Sequence, residues 1–227
     1  MCVSIFIQTL NEEKNLKMCL ESVNWSDDIV VLDSYSTDKT EHIAKEYNCR
    51  FYQRKYDGRA NNQNWAVENI DFKYPWVWYV DADEVTPQDL KDEIISICSN
   101  PHTSEVVYRV RFKNMLMDKW LKRSSLYPTW VPRLFKPDRI RWERSANPVA
   151  IINGPEAKLK HHFLHYTFNK GFFAWFEKHN MYSTYEAEET INELDNNKID
   201  YRGLFSSDVS RKRQALKKLS FRLPGRA

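Results

Sequence analysis

The stretch Trp76-Val77-Trp78-Tyr79-Val80-Asp81-Ala82-Asp83-Glu84 decides the reading of this chain. Five large apolar residues run straight into three carboxylates. An uninterrupted apolar run of this length suits a strand buried on both faces of a sheet. Carboxylates at the end of such a strand repel one another unless a cation or a set of donors compensates them. Asp81 and Asp83 are two residues apart, so in extended geometry they are expected to point the same way. A hard divalent cation, bound through one or two carboxylates and completed by phosphate oxygens, suits such a pair. The spacing alone is common, and its meaning depends on what surrounds it.

Upstream, the chain alternates between two hydrophobic periods. Val3–Ile7 and Ile29–Leu32 are short apolar runs, and Arg50–Gln53 reads as a third strand. Between them lie helical patterns, one with Leu16, Cys19, Leu20 and Val23 on one face, the next with Ile43, Ala44 and Tyr47. A further helix is expected over Asn61–Ile70, after the turn Tyr56-Asp57-Gly58-Arg59. Short buried strands separated by helices predict right-handed βαβ units and a parallel sheet. Downstream of Glu84, Thr86 is expected to cap a helix that has Pro87 and Asp89 in its first turn.

Beyond Asn100 the pattern changes. Val106, Tyr108, Val110 and Phe112 alternate with Val107, Arg109, Arg111 and Lys113, which predicts a strand in a mixed sheet. Prolines at 128, 132, 137, 148 and 155 divide the next region into short strands and loops. A long helix follows, from about Lys170 to Asn196, and its face Phe172, Trp175, Phe176, His179 and Tyr182 is expected to pack into the core. Tyr127, Trp130 and Trp142, in the Pro-broken region, are the better candidates for stacking on a ligand. The fold expected is α/β, a mainly parallel mixed sheet with flanking helices and a smaller irregular C-terminal half. Its parts are 1–100 for ligand binding, 101–205 as a second half of the same domain, and 206–227 as a basic tail.

The 227 residues suffice for a real core, and 42% hydrophobic with 29% charged residues excludes a disordered chain. The formal charge of +3 is too small to imply a general nucleic-acid binder. Its distribution is uneven: Ser206–Ala227 carries seven basic residues and one acid, a net of +6, so the rest of the chain carries −3. Four scattered cysteines without a C-x-x-C pair suit free thiols in a reducing compartment. Cys2–Ile7 reads as a first strand rather than a signal peptide, and no stretch approaches the roughly 18 apolar residues of a membrane span. A cytoplasmic protein is expected.

In a parallel α/β sheet, ligands bind beyond the carboxyl ends of the strands. Three polar clusters fall there: Thr9-Leu10-Asn11-Glu12-Glu13, Asp33-Ser34-Tyr35-Ser36-Thr37-Asp38 and Asp81-Ala82-Asp83-Glu84. Each alone also suits a helix cap. In this order, the three resemble the family 2 glycosyltransferases of GT-A fold. Tyr127–Phe135, Leu164-His165-Tyr166 and Lys178–Ser183 resemble the branch that builds lipopolysaccharide core and related bacterial glycans. The resemblance spans about residues 3–190, and it implies that 1–100 is the nucleotide-sugar-binding half and 101–205 the acceptor-binding half of one GT-A domain.

What it implies can be placed residue by residue. Thr9, Asn11 and Glu12 would line the base and ribose of a nucleotide-sugar donor, expected to be a UDP-sugar. Asp33 would accept a hydrogen bond from the base, with Ser34 beside it. Asp81 and Asp83, with Ala82 between them, would hold the ribose and a Mg²⁺ or Mn²⁺ bridging the diphosphate. Gln63, in the run Asn61–Asn64, lies where relatives contact the donor, although that run equally suits a solvated helix face. Of the histidines 161, 162 and 165, alternation puts His161 and His165 on one face, and His165 is the candidate metal ligand. A histidine hydrogen-bonded in the cleft wall is the alternative.

An inverting transferase needs a carboxylate to take the acceptor hydroxyl proton. Where the resemblance calls for a Glu, this chain reads Ser145-Ala146-Asn147-Pro148-Val149, ahead of Asn153-Gly154. Glu143 is the candidate base, with Arg141 and Arg144 expected to hold it ionised, and Glu156 is next in line. The function expected is transfer to a bacterial glycan or lipid-linked saccharide, and the competing reading is a non-catalytic module that binds nucleotide-sugar or glycan. A haloacid dehalogenase-type phosphotransferase also uses Asp-x-Asp, but there the pair follows the first strand and needs a later Lys that finds no place here. The tail, with Leu216, Leu219, Phe221 and Leu223 among its cations, is expected to meet an anionic membrane surface peripherally on its inner face. The resemblance also implies continuation past the Arg222-Leu223-Pro224 stretch, so that Ala227 is not the natural end.

Overall fold

A computed structural model describes residues 2–123, 127–144, 148–195, 201–205, 212, 215–216 and 219–220. The expected basic tail lies mostly outside these residues. The chain divides into two units, 1–178 and 179–227, and the sheet and the candidate site belong to the first.

The βαβ expectation holds. Strands β1 (Val3–Thr9), β2 (Ile29–Asp33), β3 (Arg50–Gln53) and β4 (Trp76–Asp81) alternate with helices α1 (Leu16–Val23), α2 (Thr40–Glu46) and α3 (Arg59–Asn69). They pair in parallel in the order β3-β2-β1-β4. After β3 the chain therefore crosses back over β1, and the carboxyl ends of β1 and β4 flank a topological switch point. The crossover also puts the helices on opposite faces. Leu16, Cys19, Leu20 and Ala44 pack with Ile5, Ile7 and Trp78 on one side, and Ala60 and Ala66 pack with Phe6 and Tyr79 on the other. Burial on both faces is why β2 and β4 are apolar up to their terminal aspartates.

The second half completes the same sheet. It contributes β5 (Glu84–Val85), α4 (Gln88–Ser99), β6 (Val107–Leu116), β7 (Lys119–Trp120), β8 (Trp130–Phe135), β9 (Ile140–Glu143), β10 (Val149–Ile152), β11 (Glu156–His165) and α5 (Phe172–Asp195). Among the described residues the order is β3-β2-β1-β4-β8-β6-β11-β5, with β7 on the end of β6 and β9–β10 as a separate hairpin. Strand β8 is antiparallel to both β4 and β6, whereas β11 is parallel to β6, so the sheet is mixed as expected. Among the described residues no helix is long and apolar enough to cross a membrane.

Three expectations need correction. Thr86 does not cap α4: its hydroxyl accepts the Trp78 indole N–H at 3.0 Å, and Pro87 occupies the cap position. A buried indole N–H needs a partner, and that need outweighs the cap. The aromatic turn of α5 is not core, because Phe172, Phe173 and Phe176 are 51%, 78% and 63% exposed. It packs instead on the preceding loop, where Phe168 stacks with Trp175. Trp142 is no sugar platform, being only 5% exposed and packed edge-on against Phe135.

Gly154, at the turn between β10 and β11, has φ +141°, and a Cβ there would lie 2.7 Å from Val106 Cγ2. Gly154→Ala is expected to destabilise the protein by about 1–3 kcal/mol through backbone strain and overpacking. Urea denaturation measures it, and Val106→Ala in the same chain should recover the packing part.

Candidate functional site

The carboxyl ends of β1, β2 and β4 form one crest. Thr9 is the register partner of Asp33, and Gln8 that of Asp81. Asp33 is completely buried, and its carboxylate accepts bonds from Thr9 Oγ1 (2.8 Å), Ser36 Oγ (2.5 Å) and Ser36 N (2.8 Å). Three donors hold a buried anion at tolerable cost. Asn11 and Tyr35 take left-handed backbone at φ 53° and 61°. Asn11 Oδ1 accepts the Thr37 N–H at 2.8 Å, and Asn11 N donates to Ser36 Oγ at 2.7 Å. The first two polar clusters thus lace two loops together and leave Tyr35 at the surface. Glu12 accepts Lys170 Nζ at 2.5 Å and Asn15 Nδ2 at 2.9 Å. Burial raises the Glu12 pKa, and Lys170 offsets part of that rise.

The run Asn61–Asn64 works inward. Asn64 bonds the backbone N and O of Trp142, both at 2.8 Å, and so fastens β9 to α3. Gln63 is buried, and Asn61 donates to the Asp57 carbonyl. Asn62 joins Arg54 to the Ser34 hydroxyl. The helix-face reading of Gln63 gives way to a buried one.

At the acidic end of β4, the strand stops at Asp81 and Ala82-Asp83 form a turn. The extended alternation that would align the two carboxylates stops with it. Asp81 Oδ2 accepts Arg59 Nη2 and Arg133 Nη2, both at 2.7 Å, and Oδ1 accepts the Tyr79 hydroxyl at 2.7 Å. Arg133 Nη2 also donates to Glu84 Oε1 at 2.5 Å, and Glu84 Oε2 accepts the Asp81 N–H. Burial would raise Asp81, but the Arg133 and Arg59 charges more than offset it and hold the carboxyl well below the usual range. Glu84 moves the other way: burial raises it more than Arg133 lowers it. Arg133, Arg59 and Tyr79 therefore engage both Asp81 oxygens, and the aligned pair expected from spacing is replaced by a buried ion-pair network.

Asp83 has a different partner. Strand β5 pairs antiparallel with β11, so that His165 sits opposite Glu84, and Tyr166 N donates to the Asp83 carbonyl at 2.8 Å. His165 Nε2 lies 3.4 Å from Asp83 Oδ2, while Nδ1 is 3.0 Å from Asn114 Oδ1. An amide oxygen can only accept, so Nδ1 carries a proton and Nε2 is the nitrogen that faces the carboxylate. A neutral Nε2 lone pair against a carboxylate repels it; a second proton or a shared cation removes the conflict. Burial opposes the charged ring, but the bond and charge of Asp83 raise the His165 pKa, and Asp83 falls below its ordinary value against its own burial. His161 shares the face of His165, as expected, and pairs with Asp89 at 2.9 Å. Among the described residues no group of three or more His, Cys, Asp and Glu is arranged to hold a metal.

Glu143 lies exposed on β9 opposite Val149. Arg141 does not hold it: that guanidinium pairs with Glu68 at 3.3 Å and with the Pro137 and Ile140 carbonyls. Of the stretch 145–149 where the resemblance calls for a base, residues 145–147 lie outside the described residues, and Pro148, at the expected position, offers no proton acceptor. Glu156 is paired with Arg109 at 2.9 Å. Sequence reasoning missed Arg59, Arg133, Lys170 and Asn114. For Arg133 the signal was present: a lone cation in the apolar strand Val131–Phe135, in a chain with an uncompensated acidic strand end.

A 3-2-1-4 parallel sheet, extended by an antiparallel strand and opening at its switch point onto a carboxylate-rich crest, is the GT-A fold. Residues 4–153 match the family described as Glycosyl transferase family 2, and the chain belongs to that family. It is 32% identical over 126 residues to an uncharacterized glycosyltransferase of Rickettsia typhi, a match covering 55% of this chain and 42% of that protein. It is 35% identical over 95 residues to the lipopolysaccharide core biosynthesis glycosyltransferase LpsC of Rhizobium meliloti, covering 40% and 34%. These matches span less than half the length of the relatives. The fold is similar to that of S. aureus TarS 1-349, with a TM-score of 0.52 and 16% identity over 96% of this chain and 79% of that one.

Arg133→Met should leave Asp81 and Glu84 buried with too little compensation, and is expected to cost about 3–5 kcal/mol of stability. Chemical denaturation measures it, and a loss under about 1 kcal/mol would remove the network from its central place.

Proposed function

We propose that the protein is an inverting glycosyltransferase that moves a sugar from a nucleotide-sugar donor, a UDP-sugar, to a bacterial glycan or lipid-linked saccharide. The observation that carries this reading is the convergence of Asp83 and His165 at the switch point of a family 2 sheet. The name of LpsC, a lipopolysaccharide core enzyme, supports the acceptor class.

The donor set fits a divalent cation. With Nδ1–H fixed on Asn114, His165 Nε2 is the ligating nitrogen, and Asn114 is the outer partner that orients it. Asp83 and His165 would hold Mg²⁺ or Mn²⁺, which when bound neutralises charge building on the leaving diphosphate. Asp81 acts through Arg59 and Arg133, keeping both guanidiniums at the crest. Thr9, Asp33 and Asn11 hold the two loops that would receive the nucleoside, and Glu12 is presented beside them by Lys170. In the transfer, the acceptor oxygen bonds to the anomeric carbon, the bond to the diphosphate breaks, and the hydroxyl proton passes to a carboxylate. Glu143, exposed and without a tie to Arg141, takes the role of that base.

Calorimetry of UDP binding should show strong dependence on Mn²⁺ or Mg²⁺, lost in Asp83→Ala and weakened about 10- to 100-fold in His165→Ala. Equal wild-type affinity with and without metal would end the metal role. Glu143→Gln should lower kcat by a factor of about 10² to 10⁴ and leave UDP binding intact. Wild-type turnover in that variant would clear Glu143.

A further inference from the structure

Strand β6 has two faces with opposite chemistry. Tyr108 and Val110 enter the core under α4, with Phe112 packed against it. On the other face Val107 belongs to the α3 side of the core, and the next residues, Arg109, Arg111 and Lys113, are half-buried. The adjoining strands add to this face by register: Trp130 of β8 and His162 of β11 lie opposite Arg111, and Lys158 of β11 lies opposite Arg109.

Cations and indole rings interleave along it. The Arg111 guanidinium lies 5.5 Å and Lys158 Nζ 4.9 Å from the centre of the Trp130 ring. At the far end, Lys113 and Lys122 lie 4.6 and 5.4 Å from that of Trp120. The strands β6, β8 and β11 supply one acid here, Glu156, and Arg109 takes it. Among the described residues Arg111, Lys113 and Lys158 pair with no carboxylate, and the buried Arg111 Nε and Trp120 Nε1 have no acceptor. Burial, and then the charge of Lys113, lower the His162 pKa below its ordinary value, as a positive field requires. Gathering like charges without acids raises the energy of the free protein and is compensated by an anionic ligand.

The face adjoins the donor crest. Leu134 of β8 pairs with Trp78 on one side and Tyr108 on the other. From there β4 and β6 run in the same direction, β4 ending at Asp81 and β6 continuing through Arg111. Asp81 turns toward Arg59 of α3, and Arg111 faces the same side of the sheet.

We infer that this half-exposed face of β6, β8 and β11 is the acceptor subsite and selects an anionic saccharide, one carrying carboxylate or phosphate groups. Trp130 receives the apolar C–H face of a pyranose ring, and Arg111, Lys113 and Lys158 receive the oxyanions around it. The inference deepens the transferase reading and rests on it for the word acceptor. Selection by charge predicts discrimination against neutral glycans of the same length.

The test uses the full chain with Mn²⁺ and two six-sugar probes, oligogalacturonate and maltohexaose, measured by calorimetry beside UDP. Oligogalacturonate should bind at least about 10-fold more tightly, and its affinity should fall as salt rises from about 50 to about 300 mM. Lys113→Glu with Lys158→Glu should weaken it at least about 10-fold while leaving UDP affinity and the melting temperature unchanged. Trp130→Ala should weaken both sugars. Equal binding of the two probes overturns the inference, as does an unaffected charge-reversal variant. So does tighter binding of a six-nucleotide single strand, which would make the face a nucleic-acid surface, or equal competition by inorganic phosphate, which would leave the sugar no part. Should UDP fail to bind while oligogalacturonate discriminates as stated, the donor reading falls and the anionic-saccharide site stands.

Discussion

One guanidinium allows an apolar strand to end in carboxylates. Arg133 is almost fully buried, and a single nitrogen of it bonds both Asp81 and Glu84. Without it, burial would drive protons onto those groups or open the end of β4 to water. The geometry that brings it there is a register shift between β6 and β8, where Tyr108 and Arg109 face Leu134 and Pro132 and leave Arg133 between them. An irregularity of this kind re-aims a side chain at a site. Arg133 also lies 4.5 Å from the centre of the Tyr79 ring, so that the same cation is held by two acids and an aromatic face.

That neutralisation divides the work of the acidic triplet. Asp81 is held by Arg59, Arg133 and Tyr79, whereas Asp83, released from the strand by the turn, faces His165. Its partner arrives by topology. Strand β5 is only two residues long, yet it returns the chain to β11 and sets His165 beside Asp83 across 82 positions of sequence. Asn114, at the register position of His165 on β6, fixes the ring's other nitrogen. Three strands from different parts of the chain thus define one imidazole's orientation, more firmly than a loop could.

The two faces of the second half are equally unlike. Its α4 side completes the core, with Phe112 stacked on Phe163. Its other side packs with α3 and the β9–β10 hairpin near Val107, Phe135 and Trp142, and Arg109, Arg111 and Lys113 beyond them are half-buried. Asn64 fastens the hairpin to α3 through its two bonds to the Trp142 backbone.

The frame of this protein is written in local pattern. Short apolar runs such as Ile29–Leu32 and Trp76–Val80, and the i, i+3, i+4, i+7 face of α1, are consequences of burial against a parallel sheet, so their periods identify the strands and the helices between them. Polar clusters at strand ends are legible for the same reason, since they fall where the pattern breaks. What the pattern could not carry was partnership. Thr86 looked like a cap until Trp78 claimed its hydroxyl, the α5 aromatics looked like core until Phe168 received them, and Asp81 looked uncompensated until two arginines closed on it. Each outcome turns on contacts between residues 8 to 52 positions apart or on packing of one element against another, and Coulomb and hydrogen-bond energies depend on distance in space, about which spacing along the chain is silent. The sequence determined where charge would gather at the end of β4. Which of them the protein neutralises itself depends on Arg59 and Arg133, brought to Asp81 across 22 and 52 positions by the packing of α3 and β8.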